Sequence, residues 1–207
     1  MCVVKQSKRR AAMSLTDMLS QQLSGDALSH LSEKIGIDKD TAGKAISAAL
    51  PLLVSALARK SSTPEGAEAL HQSVTTEHNG GILDDMTGFL RENSSGTGAS
   101  ILSQVLGSQR GAIENGLAQH TGLNTNAIGS ILEIAAPLVM GALSKKQAEQ
   151  GLDAGGLSSY LGNQQQSVQN SASPLMNTLF NLLDANNDGS IIDDIGRIAG
   201  KLFGGQK

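Results

Sequence analysis

The residues best suited to chemistry lie near the C-terminus, where Asp184, Asn186 and Asp188 alternate ahead of Gly189, followed by Ser190, Ile191, Asp193 and Asp194. Side-chain oxygens at positions 1, 3 and 5, a glycine at 6 and an apolar residue at 8 form the opening of an EF-hand-type loop. Calcium takes hard oxygen ligands at about 2.3–2.6 Å, and alternate Asp and Asn residues on a tight turn converge to supply them. Asp184, Asn186 and Asp188 would bind through their side chains, Ser190 through its carbonyl, and Asp193 or Asp194 would close the site. The closing end departs from the pattern, because the twelfth position is Ile195 and the acids fall two places and one place earlier. Two readings therefore stand. Either the loop closes early on calcium, or it is an Asn/Asp-Gly turn whose final acid caps the next helix.

An internal control bears on that choice. Thr75 to Asp85 (TTEHNGGILDD) aligns with Asp184 to Asp194 and keeps Gly80, Ile82 and both acids, Asp84 and Asp85. Thr75, Glu77 and Asn79 stand where the three front ligands would be. The turn signal thus recurs without its ligand set, which supports the capped-turn reading.

Other chemistry finds little footing. His30, His71, His78 and His120 lie far apart, none with a His or Cys partner at the local spacing metal sites use. Neighbouring carboxylates at the start of a helix point apart, so Asp84/Asp85 and Asp193/Asp194 are poorly placed for acid–base work. No nucleophile elbow, phosphate-binding loop, dinucleotide fingerprint or zinc-protease motif occurs. The expectation is a protein that is not an enzyme.

The elements that would position the loop are helical, and the centre of the chain is written twice. Gly36 to Lys60 (GIDKDTAGKAISAALPLLVSALARK) aligns without a gap onto Gly122 to Lys146 (GLNTNAIGSILEIAAPLVMGALSKK), with eight identities in 25 positions. Among them are Pro51 and Pro137, each inside an apolar run. Proline cannot donate an amide hydrogen bond, so each segment is expected to kink or restart there. No stretch alternates with period two, and the fold class is all-α: two related multi-helix halves from an internal duplication, each with a Pro-kinked apolar helix. The halves span about 13–97 and 98–207, the second carrying the EF-hand-like loop, with Asn93 to Thr97 as the linker. Asp26 is expected to cap a second helix and Pro64 to open a polar one ending near Val74. Gly155 to Ala172 reads as a short helix near Leu157 to Leu161 followed by a mobile stretch.

Composition sets the remaining bounds. Aromatic residues are 2% of the 207-residue chain, with no Trp, one Tyr and three Phe. Ala, Leu and Ile must fill the core, which favours close helix crossings with small side chains at the contacts. A net charge of −3 gives no global case for nucleic acid. Cys2 is the only cysteine, so no internal disulfide forms and nothing implies an oxidising compartment. Residues 1–12, with Lys5, Lys8, Arg9 and Arg10, lack the apolar core of a signal peptide and read as a disordered basic extension before Met13. The apolar runs Ala45 to Ala58 and Ile134 to Leu143 fall short of the ~20 residues a bilayer requires, so they read as buried helices. The expected location is cytoplasmic.

Three phrases carry a resemblance: SLTDMLSQQLSGDALSHLSEKIGIDKDTAGKAISAALPLLVSALARK, GLAQHTGLNTNAIGSILEIAAPLVMGALSKK and LLDANNDGSIIDDIGRIAGKLFG. From Ser14 to Phe203 the chain resembles the bacterial domain-of-unknown-function family 937, akin to the YidB-like helical proteins. The resemblance implies an all-helical bacterial protein with no assigned activity and no catalytic residues to transfer. It also implies that the Asp-rich loop, with acids at its tenth and eleventh places, is a feature of the family. The expected role is a non-catalytic interaction or structural protein, with calcium as the one candidate cofactor. It would bury an Ala/Leu face against a protein partner or a second copy. The alternative is a peripheral membrane or envelope-associated protein that lays amphipathic Ala/Gly/Leu helices on a surface.

Overall fold

Helix signals written in the sequence become helices at nearly every point where a cap and an apolar stripe coincide. The computed structural model describes residues 14–23, 25–76, 81–84, 88–89 and 95–171, and these are all-helical, with no strand among them. The helices are α1 (Leu15–Gln22), α2 (Asp26–Ile35), α3 (Lys39–Lys60), α4 (Pro64–Thr76) and the single turn α5 (Gly81–Asp84). They continue with α6 (Ser95–Leu106), a 3₁₀ turn (Gly107–Gln109), α7 (Arg110–Thr121), α8 (Thr125–Gln150) and α9 (Ala154–Ser171). The Asp184–Asp194 loop, the basic extension 1–12 and His78 lie outside the described residues.

The two segments matched by sequence begin alike. Gly36 ends α2 at φ 77° and Gly122 ends α7 at φ 75°, a left-handed conformation that a residue without Cβ adopts at little cost. Two residues on, Asp38 and Asn124 take the same extended conformation, and each side chain accepts a hydrogen bond from the amide three residues ahead, Thr41 and Ala127. Neither proline ends its helix. Lys39–Lys60 runs through Pro51 and Thr125–Gln150 through Pro137, so the restart allowed by the sequence does not occur. Each proline leaves one carbonyl of the preceding turn without its usual helical donor.

α3 and α8 form the centre. They pack on each other, and every other long helix packs on one or both. α1 and α2 touch both central helices, as do α4, α6 and α7, while α9 packs on α3 and α4. One cluster of buried apolar residues contains Leu15, Leu31, Leu50 and Leu53 from the first segment with Leu102, Leu117, Ile128 and Leu138 from the second. Burial of that cluster is the main favourable term in folding.

Several boundaries differ from the sequence reading, each for a physical reason. Asp26 sits inside the first turn of α2, where it faces the positive helix end, and Gly25 is the residue at the cap. α6 starts at Ser95, so Ser95 to Thr97 are helical rather than linker. The largest change is α9, an unbroken 18-residue helix where a short helix and a mobile stretch were expected. Asp153 starts it by accepting from the Gly156 amide. Leu157, Leu161 and Val168 then recur on one face and are buried against α3 and α4. A three-residue stripe in an Asn/Gln/Ser-rich segment is too sparse to read alone, but it suffices once a core is present to receive it. α9 also serves the chain start: Gln164 Oε1 accepts from the Leu15 amide at 2.8 Å, 149 positions away.

The core's poverty in aromatics is matched by close backbone approach. A Cβ added to Gly98 on α6 would collide with the Glu133 carbonyl of α8, so the helices meet there backbone to backbone. Gly98→Ala is expected to cost about 1–3 kcal/mol in a urea melt, as overpacking does. Gly162→Ala, inside α9 where an added Cβ meets nothing within 4 Å, is expected to gain about 0.5–1 kcal/mol. Equal effects of the two would refute the close-approach account.

The caps give a pH test. Hydrogen bonds from Thr41 hold the Asp38 carboxyl below its ordinary 3.8. A folded-state value depressed in this way contributes stability that is present above the unfolded value and lost as pH falls through the folded one. Asn124, its counterpart, does not titrate. Acid titration of Asp38→Asn should therefore show a shallower loss of stability below about pH 4 than wild type, with Asn124→Ala keeping the wild-type slope.

Candidate functional site

Of the expected calcium ligands Asp184, Asn186, Asp188, Ser190, Asp193 and Asp194, all lie outside the described residues. Among the described residues no group of three His, Cys, Asp or Glu side chains is placed to hold a metal ion. His30 lies on α2 with Nδ1 3.9 Å from the exposed Glu33 carboxylate.

What the tertiary structure assembles instead is a cleft of about 650 Å³ at the seam between the two segments. The end of α3 and the following turn form one wall, with Arg59, Lys60, Ser62 and Thr63. The end of α6 and the 3₁₀ turn form the other, with Gln104 through Gln109, and Gln165 reaches in from α9. The floor carries Ala56, Ala58, Val105 and Leu106.

Local sequence explains the first wall. α3 ends at Lys60, where Ser61 and Ser62 turn their hydroxyls back onto the carbonyls of Ala58 and Arg59. Gly66 of α4 lies against the Lys60 carbonyl, an approach no side chain would permit. Arg59 Nη1 donates to Gln109 Oε1 at 3.1 Å, and Lys60 Nζ donates to the Gln104 carbonyl. Ser158 Oγ of α9 donates to the Ser61 carbonyl at 2.6 Å. Two cations in the last turn suit the negative helix end, and here they also tie the segments together.

A second polar cluster has a structural role. The Arg110 guanidinium bridges Glu114 (2.7 Å) on its own helix and Glu133 (2.8 Å) on α8. Hydrogen bonds to Glu114 and then Glu133 raise its already high pKa further, so it is charged at any working pH. Gly129 leaves room for the Glu114 carboxylate beneath it. Elsewhere, burial and then the charge of Glu149 push the Tyr160 hydroxyl up, and neither it nor Ser55 Oγ has a hydrogen-bond partner among the described residues.

The apolar faces of the repeat helices are not available as a surface. Ala49, Ala56, Gly141 and Ala142 are buried, and no Leu, Ile, Val, Met or Phe is fully exposed among the described residues. Among the described residues, the Ala and Leu side chains of these two helices are turned mostly into the core. By length and composition, however, α3 and α8 are both long and apolar enough to cross a bilayer, which the shorter apolar runs had concealed. Within this fold 67% and 89% of their most apolar stretches are buried.

A family model described as bacterial protein of unknown function matches residues 17–146, from α1 to within α8. The chain belongs to this DUF937 family. The match takes in Gly36 to Lys60, Gly122 to Lys146 and the whole first wall of the cleft. It ends before α9 and before the Asp-rich loop, so the resemblance suggested as far as Phe203 is shown only to residue 146. No curated protein and no solved structure matches the chain.

Proposed function

We propose that this DUF937 protein is a non-catalytic helical binding or structural protein built by duplication of one multi-helix unit. The observation that carries the reading is the shared entry geometry of α3 and α8, from the left-handed glycine to the Asp38/Asn124 cap, joined to their burial in one core. Two copies of a unit with an unpaired apolar helix would satisfy each other in this way. The halves would be about 13–97 and 98–207, with a bend at each proline as a common inheritance. A partner protein or a second copy would then be met through polar surface or through chain outside the described residues, in the cytoplasm.

The Asp-rich loop adds a calcium-stabilised C-terminal element to this proposal. Its support is the ligand order Asp184, Asn186, Asp188, with Ser190 and Asp193 or Asp194 completing the set. Calorimetric titration with calcium is expected to give saturable heat and a raised melting temperature. Asp184→Ala/Asp188→Ala should lose both. No heat from wild type would leave the loop as a capped turn.

A second reading, membrane association, is favoured by the length and apolarity of α3 and α8. It requires those helices to leave the core that buries them, or the basic residues before Met13 to bind anionic lipid. Co-sedimentation with anionic vesicles separates these cases: pelleting that is lost when the chain starts at Met13 assigns the extension. No pelleting of either form retires the reading.

A further inference from the structure

We infer that the seam cleft is the docking site of the chain's own segment Leu175 to Leu183, which lies outside the described residues. The sequence gives the reason such a site is needed. Ser173 to Leu183 (SPLMNTLFNLL) holds no charged residue. At helical spacing Leu175, Met176, Leu179, Phe180, Leu182 and Leu183 share one side, with Asn177, Thr178 and Asn181 on the other. A stripe of six large apolar side chains is costly to leave in water.

The cleft has the complementary pattern. Its floor is apolar, formed by Ala56, Ala58, Val105 and Leu106, and its rim carries the uncharged Ser62, Gln104, Ser108 and Gln165. Val105 also lines an adjoining apolar recess with Leu53, Leu57, Ile101 and Met140. An amphipathic helix seats on such a groove with its stripe on the floor and its amides and hydroxyls at the rim. At about 650 Å³ the cleft admits several large side chains. The connection also fits. Gln165 stands at the rim, and α9 ends at Ser171, about 9 Å further along the helix. Ser173-Pro174 is a turn-initiating pair. A helix from Leu175 to Leu183 running back from that turn covers about 12 Å, which returns it to the level of Gln165. Charge agrees in sign. Arg59 and Lys60 lie on the cleft wall, while Asp184 and Asp188 follow the segment directly. That attraction acts at long range and asks neither cation to give up a bond it already makes.

The test uses the full chain, with a chelator in every sample to keep the result separate from calcium binding. The chain has no Trp, so Phe180→Trp is a single fluorescent reporter. Its emission is expected to be blue-shifted from that of the urea-unfolded chain and weakly quenched by acrylamide. Adding Val105→Glu, which sets a charge on the floor, should return the emission to the exposed value while circular dichroism shows the helices retained. Should that variant unfold, a cysteine pair decides the matter. In a Cys2→Ser background, Ser108→Cys/Asn181→Cys should close within one chain at least about tenfold faster than Lys39→Cys/Asn181→Cys, as neighbouring groups at high effective concentration do. Lys39 is exposed at the opposite end of α3, about 30 Å along the helix from Lys60. An exposed tryptophan, unchanged emission in a folded Val105→Glu chain, or equal closure of the two pairs would overturn the assignment. Disulfides formed only between chains would overturn it too, and would give the segment to a second copy.

Discussion

The structure depends on how closely helices can approach when almost no aromatic side chain is available to fill space. With Ala, Leu and Ile as the core, dispersion contacts are gained only at short range, so the backbones themselves must draw together. Gly98 against the Glu133 carbonyl and Gly66 against the Lys60 carbonyl are the points where that demand is absolute. Both lie where a flanking helix meets the end or flank of a central one. Without those contacts α6 and α4 would stand off from α8 and α3, and the seam between them would widen.

The seam is polar where the core is apolar, and the contrast has an energetic sense. Burial holds the helices together without specifying a single alignment, because apolar contacts are non-directional. Directional bonds then fix the alignment: Arg59 to Gln109, Ser158 to the Ser61 carbonyl, and Gln164 to the Leu15 amide. Each links residues far apart in sequence, and the last two also satisfy a backbone group that a helix end would otherwise leave unpaired. Arg110, Glu114 and Glu133 likewise link α7 to α8. The cleft is thus a by-product of two helix ends meeting, made cationic because the residues that suit a helix C-terminus are cations.

How much of this could be read in advance follows from range. Pro64 at a helix start was legible because such signals act over three or four residues, the same range over which Ser14, Asp38 and Asn124 cap helices and Gly36 and Gly122 stop them. α9 was misjudged because Leu157, Leu161 and Val168 are a weak stripe whose helix forms on a surface supplied by α3 and α4. The membrane-length character of α3 and α8 was missed for a related reason. The apolar runs Ala45 to Ala58 and Ile134 to Leu143 were bounded by Lys44 and Ser144, whereas the helices extend through both residues. The cleft was invisible, since Gln104, Gln109 and Gln165 carry no local signal that they will face Arg59 and Lys60.

The sequence by itself determined that the described residues are all-helical and where most of their helices begin and end. Those features follow from hydrogen-bonding and conformational preferences of a few adjacent residues, which no distant contact reverses. Only the tertiary structure decided that the apolar faces of α3 and α8 are turned on each other rather than outward. Only it brought Arg59 and Lys60 of one segment against the glutamines of the next. The reason is that burial rewards area irrespective of which residues supply it, so the choice of partner is made by shape and by a few long-range polar bonds.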